Sequence, residues 1–191
     1  MARERILTRD IMLERTGELL LKVGYEGFTF SLLAEHLNVS RGAIYKYYAN
    51  RDALLMDYML FHMERFNKDL EQMDDQVDFH SKFDTLIQLL YKHSEIHQIL
   101  KTADQIPINE RAKTEEGMQR FHQLFHTMKK QMEEFISFGK RENYIRQEIP
   151  NEVILLFLHQ LVEIPSLEKI SRDNWIKYVT EILQRGIFIN S

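Results

Sequence analysis

The chain has 191 residues, 44% of them apolar, and its 25 Lys and Arg against 29 Asp and Glu leave a net charge of −4 with histidine neutral. It contains no cysteine, which excludes a disulfide framework and cysteine-bound zinc and fits a reducing, cytoplasmic setting. With seven glycines and three prolines there are few breakers, so long helices are expected rather than many short strands.

The start, MARERILTRDIM, is basic but leads into no apolar run with a cleavage site, so no signal peptide is expected. A first helix is expected over 6–23, with Ile6, Leu7, Ile11, Leu19, Leu20 and Val23 inward and Gly24 as its stop. Thr29 then caps a short helix, Phe30 to Leu37, whose inward residues are Leu33, Ala34 and Leu37. Asn38 tolerates the left-handed conformation of a tight turn, and Ser40 caps a third helix, Arg41 to Tyr48. A long fourth helix starts at Asn50 or Asp52, with Leu55, Tyr58, Met59, His62, Phe66 and Met73 as its stripe. The polar stretch 74–78 reads as a break. Further helices are expected at about 79–92, 94–104, 111–140, 151–164 and 172–188, with Pro107, Pro150 and Pro165 in the loops.

Charge is unevenly spread. Residues 1–51 carry eight bases and six acids, a balance of +2 that leaves −6 for the remainder, and from Asn38 to Arg51 there are three bases and no acid. A small basic patch on an acidic chain suits a nucleic-acid-contacting head on a body that touches no nucleic acid. Two short helices joined through Asn38, Val39 and Ser40 form the helix-turn-helix pattern. The second helix needs small residues where its backbone approaches the major groove and donors for phosphates and base edges. Arg41 can pair with guanine, Gly42 removes a side chain and Ala43 can meet a thymine methyl. Lys46 shares that face, and the hydroxyls of Tyr45 and Tyr47 suit phosphates. Ile44 and Tyr48, four apart, anchor the helix to its core.

Residues 6–59, including GYEGFTFSLLAEHLNVSRGAIYKYYANRDALL, resemble the DNA-binding head of the TetR family of bacterial transcription regulators. The matching residues are Gly24, Tyr25, Gly27, Thr29, Leu33, Ala34, Val39, Ser40, Gly42, Ile44, Tyr45 and Leu54. Asn38 stands where the pattern has Gly, Tyr47 and Tyr48 where it has His-Phe, Arg51 where it has Lys, Phe28 where it has a small residue, and Ser31 where many relatives are basic. The resemblance implies an all-α fold: a three-helix head over 1–51, helix 4 (52–73) as connector, and a helical ligand-binding and dimerisation domain over 74–191. It also implies DNA contacts from Thr29, Ser31, Ser40, Arg41, Gly42, Ala43, Tyr45, Lys46, Tyr47 and Arg51. The partners it implies are a double-stranded palindromic operator, a small-molecule inducer and a second copy of the chain.

In the body, VILLFLHQLVEI (153–164) is apolar almost all round, so it should be buried on two sides. Leu158, Leu161 and Val162 there, with Val179, Ile182 and Leu183 of the last helix, are expected at a four-helix dimer interface, or else in the core of a larger monomer. Met118, Phe121, Phe125 and Met128 share a helix face with His122 nearby; with Phe66 they are candidate pocket residues. His122 and His126 have a spacing compatible with a metal, but no cysteine or fixed carboxylate accompanies them, so no metal is expected. No phosphate loop, nucleophile elbow or strand–helix alternation appears, so neither an enzyme nor a cofactor is expected. The longest apolar run, Val153 to Leu158, is too short for a bilayer span. The alternative reading is a helical protein-binding adaptor without DNA binding.

Overall fold

The structure, a computed structural model, describes residues 7–73, 77–94, 115–164 and 169–189. The expected helix at 94–104, the first residues of the 111–140 helix, Ile6, Pro107, Pro165 and the centre of the 74–78 break lie outside the described residues. Among those described, all extended secondary structure is helical: α1 (Arg9–Gly27), α2 (Phe30–Leu37), α3 (Arg41–Tyr45), α4 (Arg51–Glu71), α5 (Phe79–Lys92), α6 (Glu115–Arg141), α7 (Asn151–Leu161) and α8 (Arg172–Ile187).

Local chemistry sets these boundaries. The Thr8 hydroxyl accepts from the Ile11 amide, so α1 starts later than periodicity suggests. It breaks where expected, at Gly24, whose φ of 69° an L side chain disfavours, and resumes for one turn through Gly27. Helix α3 is shorter than expected: past Tyr45 the Tyr47 amide takes a tight i→i−3 bond to the Ile44 carbonyl, which it shares with the Tyr48 amide. Asn50 accepts from the Ala53 amide and so caps α4.

The described chain forms two compact units. The first comprises 7–63 with 115–123, the second 64–94 with 124–189. The boundaries therefore fall inside α4 and α6, where the sequence suggested a head to residue 51 followed by a connector. The cause is the α4 stripe itself. Leu54, Leu55, Tyr58 and Met59 are buried with Leu13, Leu33 and Ile44 of the first core. Phe66 and Leu70 are buried in the second. The first core is completed by Met118 and Phe121 of α6. A Cβ on Gly117 would lie 2.6 Å from Met56 Cγ, so glycine is what lets α6 come this near.

In the second unit, Phe83, Ile87, Ile136, Ile145, Leu158 and Phe188 are almost completely buried. Tyr91 ties three of its helices together: its hydroxyl donates to the Leu161 carbonyl and accepts from the Trp175 indole, and its carbonyl accepts from Arg172. After α6 the chain turns through Asn143 (φ 60°), and Ile145 pairs antiparallel with Phe188.

Candidate nucleic-acid interface and ligand cavity

The turn between α2 and α3 is built from short-range hydrogen bonds. Thr29 Oγ1 accepts from the Leu32 amide at the start of α2. At its end Asn38 adopts φ 56°, ψ 45°. The Val39 amide then reaches the Ala34 carbonyl and the Asn38 amide that of Glu35. This is a Schellman closure with Asn in the left-handed position, which explains how Asn38 replaces a glycine. Ser40 Oγ accepts from the Ala43 amide and starts α3. Thr29 and Ser40 spend a lone pair as caps and keep their hydroxyl hydrogens for another acceptor.

The start of α3 is exposed. Arg41, Gly42, Tyr45 and Lys46 face solvent, as do Thr29, Ser31 and Ser40; Ala43 is half-buried and Ile44 fully buried. Arg41 leans along the helix, its guanidinium 3.5 Å from Tyr45 Oη. A Cβ built on Gly42 would meet only Ser40 Oγ at 3.8 Å. Packing within the head therefore does not require glycine at 42.

Two residues expected at this face are committed inside the head. Arg51 stacks on the Tyr25 ring at 4.2 Å and donates to the carbonyls of Tyr25 and Phe28, gripping the turn between α1 and α2. Tyr47 is exposed, yet its hydroxyl donates to the Leu7 carbonyl at 2.8 Å. Tyr48 is buried as expected, and its hydroxyl donates to Asp57 Oδ2 at 2.5 Å. Asp57 also receives a bidentate pair from Arg9, at 2.8 and 2.5 Å. Burial alone would raise the Asp57 pKa, but the hydrogen bonds from Arg9 and Tyr48 outweigh it and hold the carboxyl below its ordinary range. This network ties α1, the end of α3 and α4 together. Spacing along the chain does not reveal it, because its members lie 9 and 48 residues apart.

In the second unit, a cavity of about 310 Å³ opens between α5, α6 and α7, lined by Leu90, Phe125, Met128, Lys129, Met132, Glu152, Leu155, Leu156 and His159. Of the six expected pocket residues, Phe125 and Met128 line it. Met118 and Phe121 belong to the core of the first unit, and His122 is exposed on α6. Phe66 is buried edge-on to His93. The α7 wall was missed because that helix was read as all core and interface, although 152, 155, 156 and 159 share one helical face.

The expected dimer residues are also redistributed. Leu158, Leu161, Val162 and Val179 face the chain's own core, and Leu183 packs against it. On and beside α7 and α8, the described apolar groups left outside include Ile182 (69% exposed), Phe157 (60%), Val153, Ile164 and Tyr178, with Leu156 (59%) at the open edge of the cavity. Helix α7 is thus buried on one face and apolar on the opposite one.

A helix-turn-helix with an open, basic second helix, carried by an otherwise helical chain, defines the general class of helix-turn-helix proteins. Residues 12–57 match the family model for bacterial regulatory proteins of the tetR family. No curated protein sequence matches the chain. Among solved structures, the fatty acid degradation regulator FadR from Bacillus halodurans is 20% identical with a TM-score of 0.67, covering 95% of this chain and 97% of its own. The ketosteroid transcriptional regulator KstR2 of Mycobacterium tuberculosis is 12% identical with a TM-score of 0.71, covering 97% of each chain. The TetR-family regulator PfmR from Thermus thermophilus is 14% identical with a TM-score of 0.68, covering 91% of this chain and 94% of its own. Residues 12–57 thus carry the tetR-family head, and the chain has the fold of that family's regulators.

Proposed function

We propose that the protein is a homodimeric regulator that represses transcription from a palindromic operator and is released by a small molecule held in the α5–α6–α7 cavity. One observation carries this reading: the open Arg41-Gly42-Ala43 start of α3, where glycine has no packing reason, within a head that matches the tetR-family model. Arg41 reads a base edge, Ala43 lies against the groove floor, and Lys46, Tyr45, Thr29, Ser31 and Ser40 hold phosphates. Tyr47 and Arg51 hold the head together instead, the first by orienting the end of α3.

Dimerisation uses the outward stripe of α7 and α8, centred on Phe157 and Ile182. Two recognition helices about 34–36 Å apart then reach successive major grooves. The inducer binds better to a dimer with another spacing, and by linkage the operator weakens inducer binding by the same factor. A gel shift on the DNA upstream of the protein's own operon tests the reading. Six to ten phosphate contacts would cost roughly 10³–10⁵ in affinity between 50 and 200 mM salt. No shift at low salt, or a salt-independent one, would leave the helical adaptor as the better account.

A further inference from the structure

We infer that the α5–α6–α7 cavity takes a small apolar molecule bearing one positive charge, of the alkylamine or quaternary ammonium class. The inference rests on the regulator reading only in making that molecule the inducer. Most of the wall is apolar and adaptable: Leu90, Phe125, Met128, Met132, Leu155 and Leu156. Its volume, about 310 Å³, is at the small end for ligand sites, which suits a short chain or a single ring.

Three lining residues can carry charge, and they differ in what they already touch. Lys129 Nζ lies 3.5 Å from Glu133 one turn along α6. His159 has an interaction within the chain. Glu152, exposed in the first turn of α7, has no hydrogen bond or ion pair within the chain and is solvated at the cavity mouth. The uncommitted charge on this wall is therefore a carboxylate. A cation entering the cavity gains it as a partner, and the Phe125 ring and the methionine sulfurs are soft neighbours for a poorly hydrated ammonium. An anion meets Glu152 unanswered and shares Lys129 with Glu133, an exposed pair that holds the ammonium only weakly. Charge selection here comes from which wall group is unpaired, since the formal charges of Lys129 and Glu152 cancel.

Calorimetric titration of the full-length protein with octyltrimethylammonium, octanol and octanoate tests this, since the three share a chain and differ in head-group charge. The expected order is cation tightest, alcohol next, carboxylate weakest, with cation and carboxylate about fivefold or more apart, as one charge contact near water implies. Glu152→Gln should bring the cation to the level of octanol and leave octanol unchanged. Leu155→Trp, with an unchanged melting profile, should weaken all three by filling the cavity. Octanoate binding as tightly as the cation, an unaltered cation affinity in Glu152→Gln, or no binding of any probe by the folded protein would overturn the inference. The gel shift separates it from the regulator reading. Cation binding that leaves the operator complex intact removes the inducer role and keeps the ligand class. Release by some other molecule, with the cation unbound, does the reverse.

Discussion

The two units differ in how much apolar surface they leave uncovered. In the first, Leu13, Leu33, Ile44 and Leu54 are fully buried, the aliphatic groups left outside (Leu21, Val23 and Leu32) are 36–46% exposed, and α3 presents Arg41, the hydroxyl of Tyr45 and a bare glycine. In the second, a core of similar quality coexists with Leu156, Phe157 and Ile182 at 59–69% exposure. The head's chemistry lies in polar groups on a closed core, whereas the body's lies in apolar groups its own chain does not cover.

Two neighbouring substitutions on α7 separate its covered face from its uncovered one. Phe157→Glu should leave the monomer folded and abolish dimerisation, a loss of 2 kcal/mol or more if the residue sits at an interface centre. Leu158→Ala, one residue on, should cost about 2–5 kcal/mol of stability by opening a core cavity. Sedimentation and denaturant melts distinguish the two, and a dimeric Phe157→Glu would discard the outward stripe as the interface. On the head, Arg41→Ala should lose roughly 1–3 kcal/mol of operator affinity and relax one position in each half-site. An equal loss on every sequence would reduce Arg41 to a phosphate contact.

Acid should reach the two units at different points. Burial, ahead of the opposing pull of Asp69, lowers the His93 pKa from its ordinary 6.5, so His93 stabilises the fold fully above that value and progressively less as pH falls below it. Asp57 is also depressed, from 3.8, so its contribution persists above that value and is lost only as pH drops further through its folded pKa. Amide exchange should therefore show the body loosening first between neutral pH and 4, with His93→Gln flattening that slope. The smallest effect is the most discriminating. Gly42→Ala should raise stability by about 0.5–1 kcal/mol, as alanine does within a helix, while weakening operator binding. Improved stability with unchanged DNA affinity would mean that the helix does not approach a groove at this point.

Local patterns made the head readable. Thr29, Asn38 and Ser40 set caps and a turn that depend on residues within five positions, and the structure has them where the sequence put them. A hydroxyl near the helix-turn-helix suits phosphate, which points Tyr47 outward, and the family resemblance does the same for Arg51. Their partners, Tyr25 and Leu7, lie 26 and 40 residues away, beyond what spacing reveals. In the body the limit was rotational. VILLFLHQLVEI is apolar almost all round, so periodicity does not say that Leu158 points inward and Phe157 outward. The same near-uniformity hid Leu155 and Leu156 as cavity wall.

The packing of Met118 and Phe121 onto the first core bears on how the protein is made. A ribosome finishes α1, α2 and α3, the helices of the proposed DNA-contacting face, by Tyr45. The core beneath them stays incomplete until the stretch through Phe121 has emerged, so the nascent head waits, part of its apolar surface uncovered, through some fifty codons at about 5–20 residues per second. A gene fragment ending after α4 encodes the recognition surface without its finishing piece. Grafting this head onto another effector would require carrying over two separate segments of the chain.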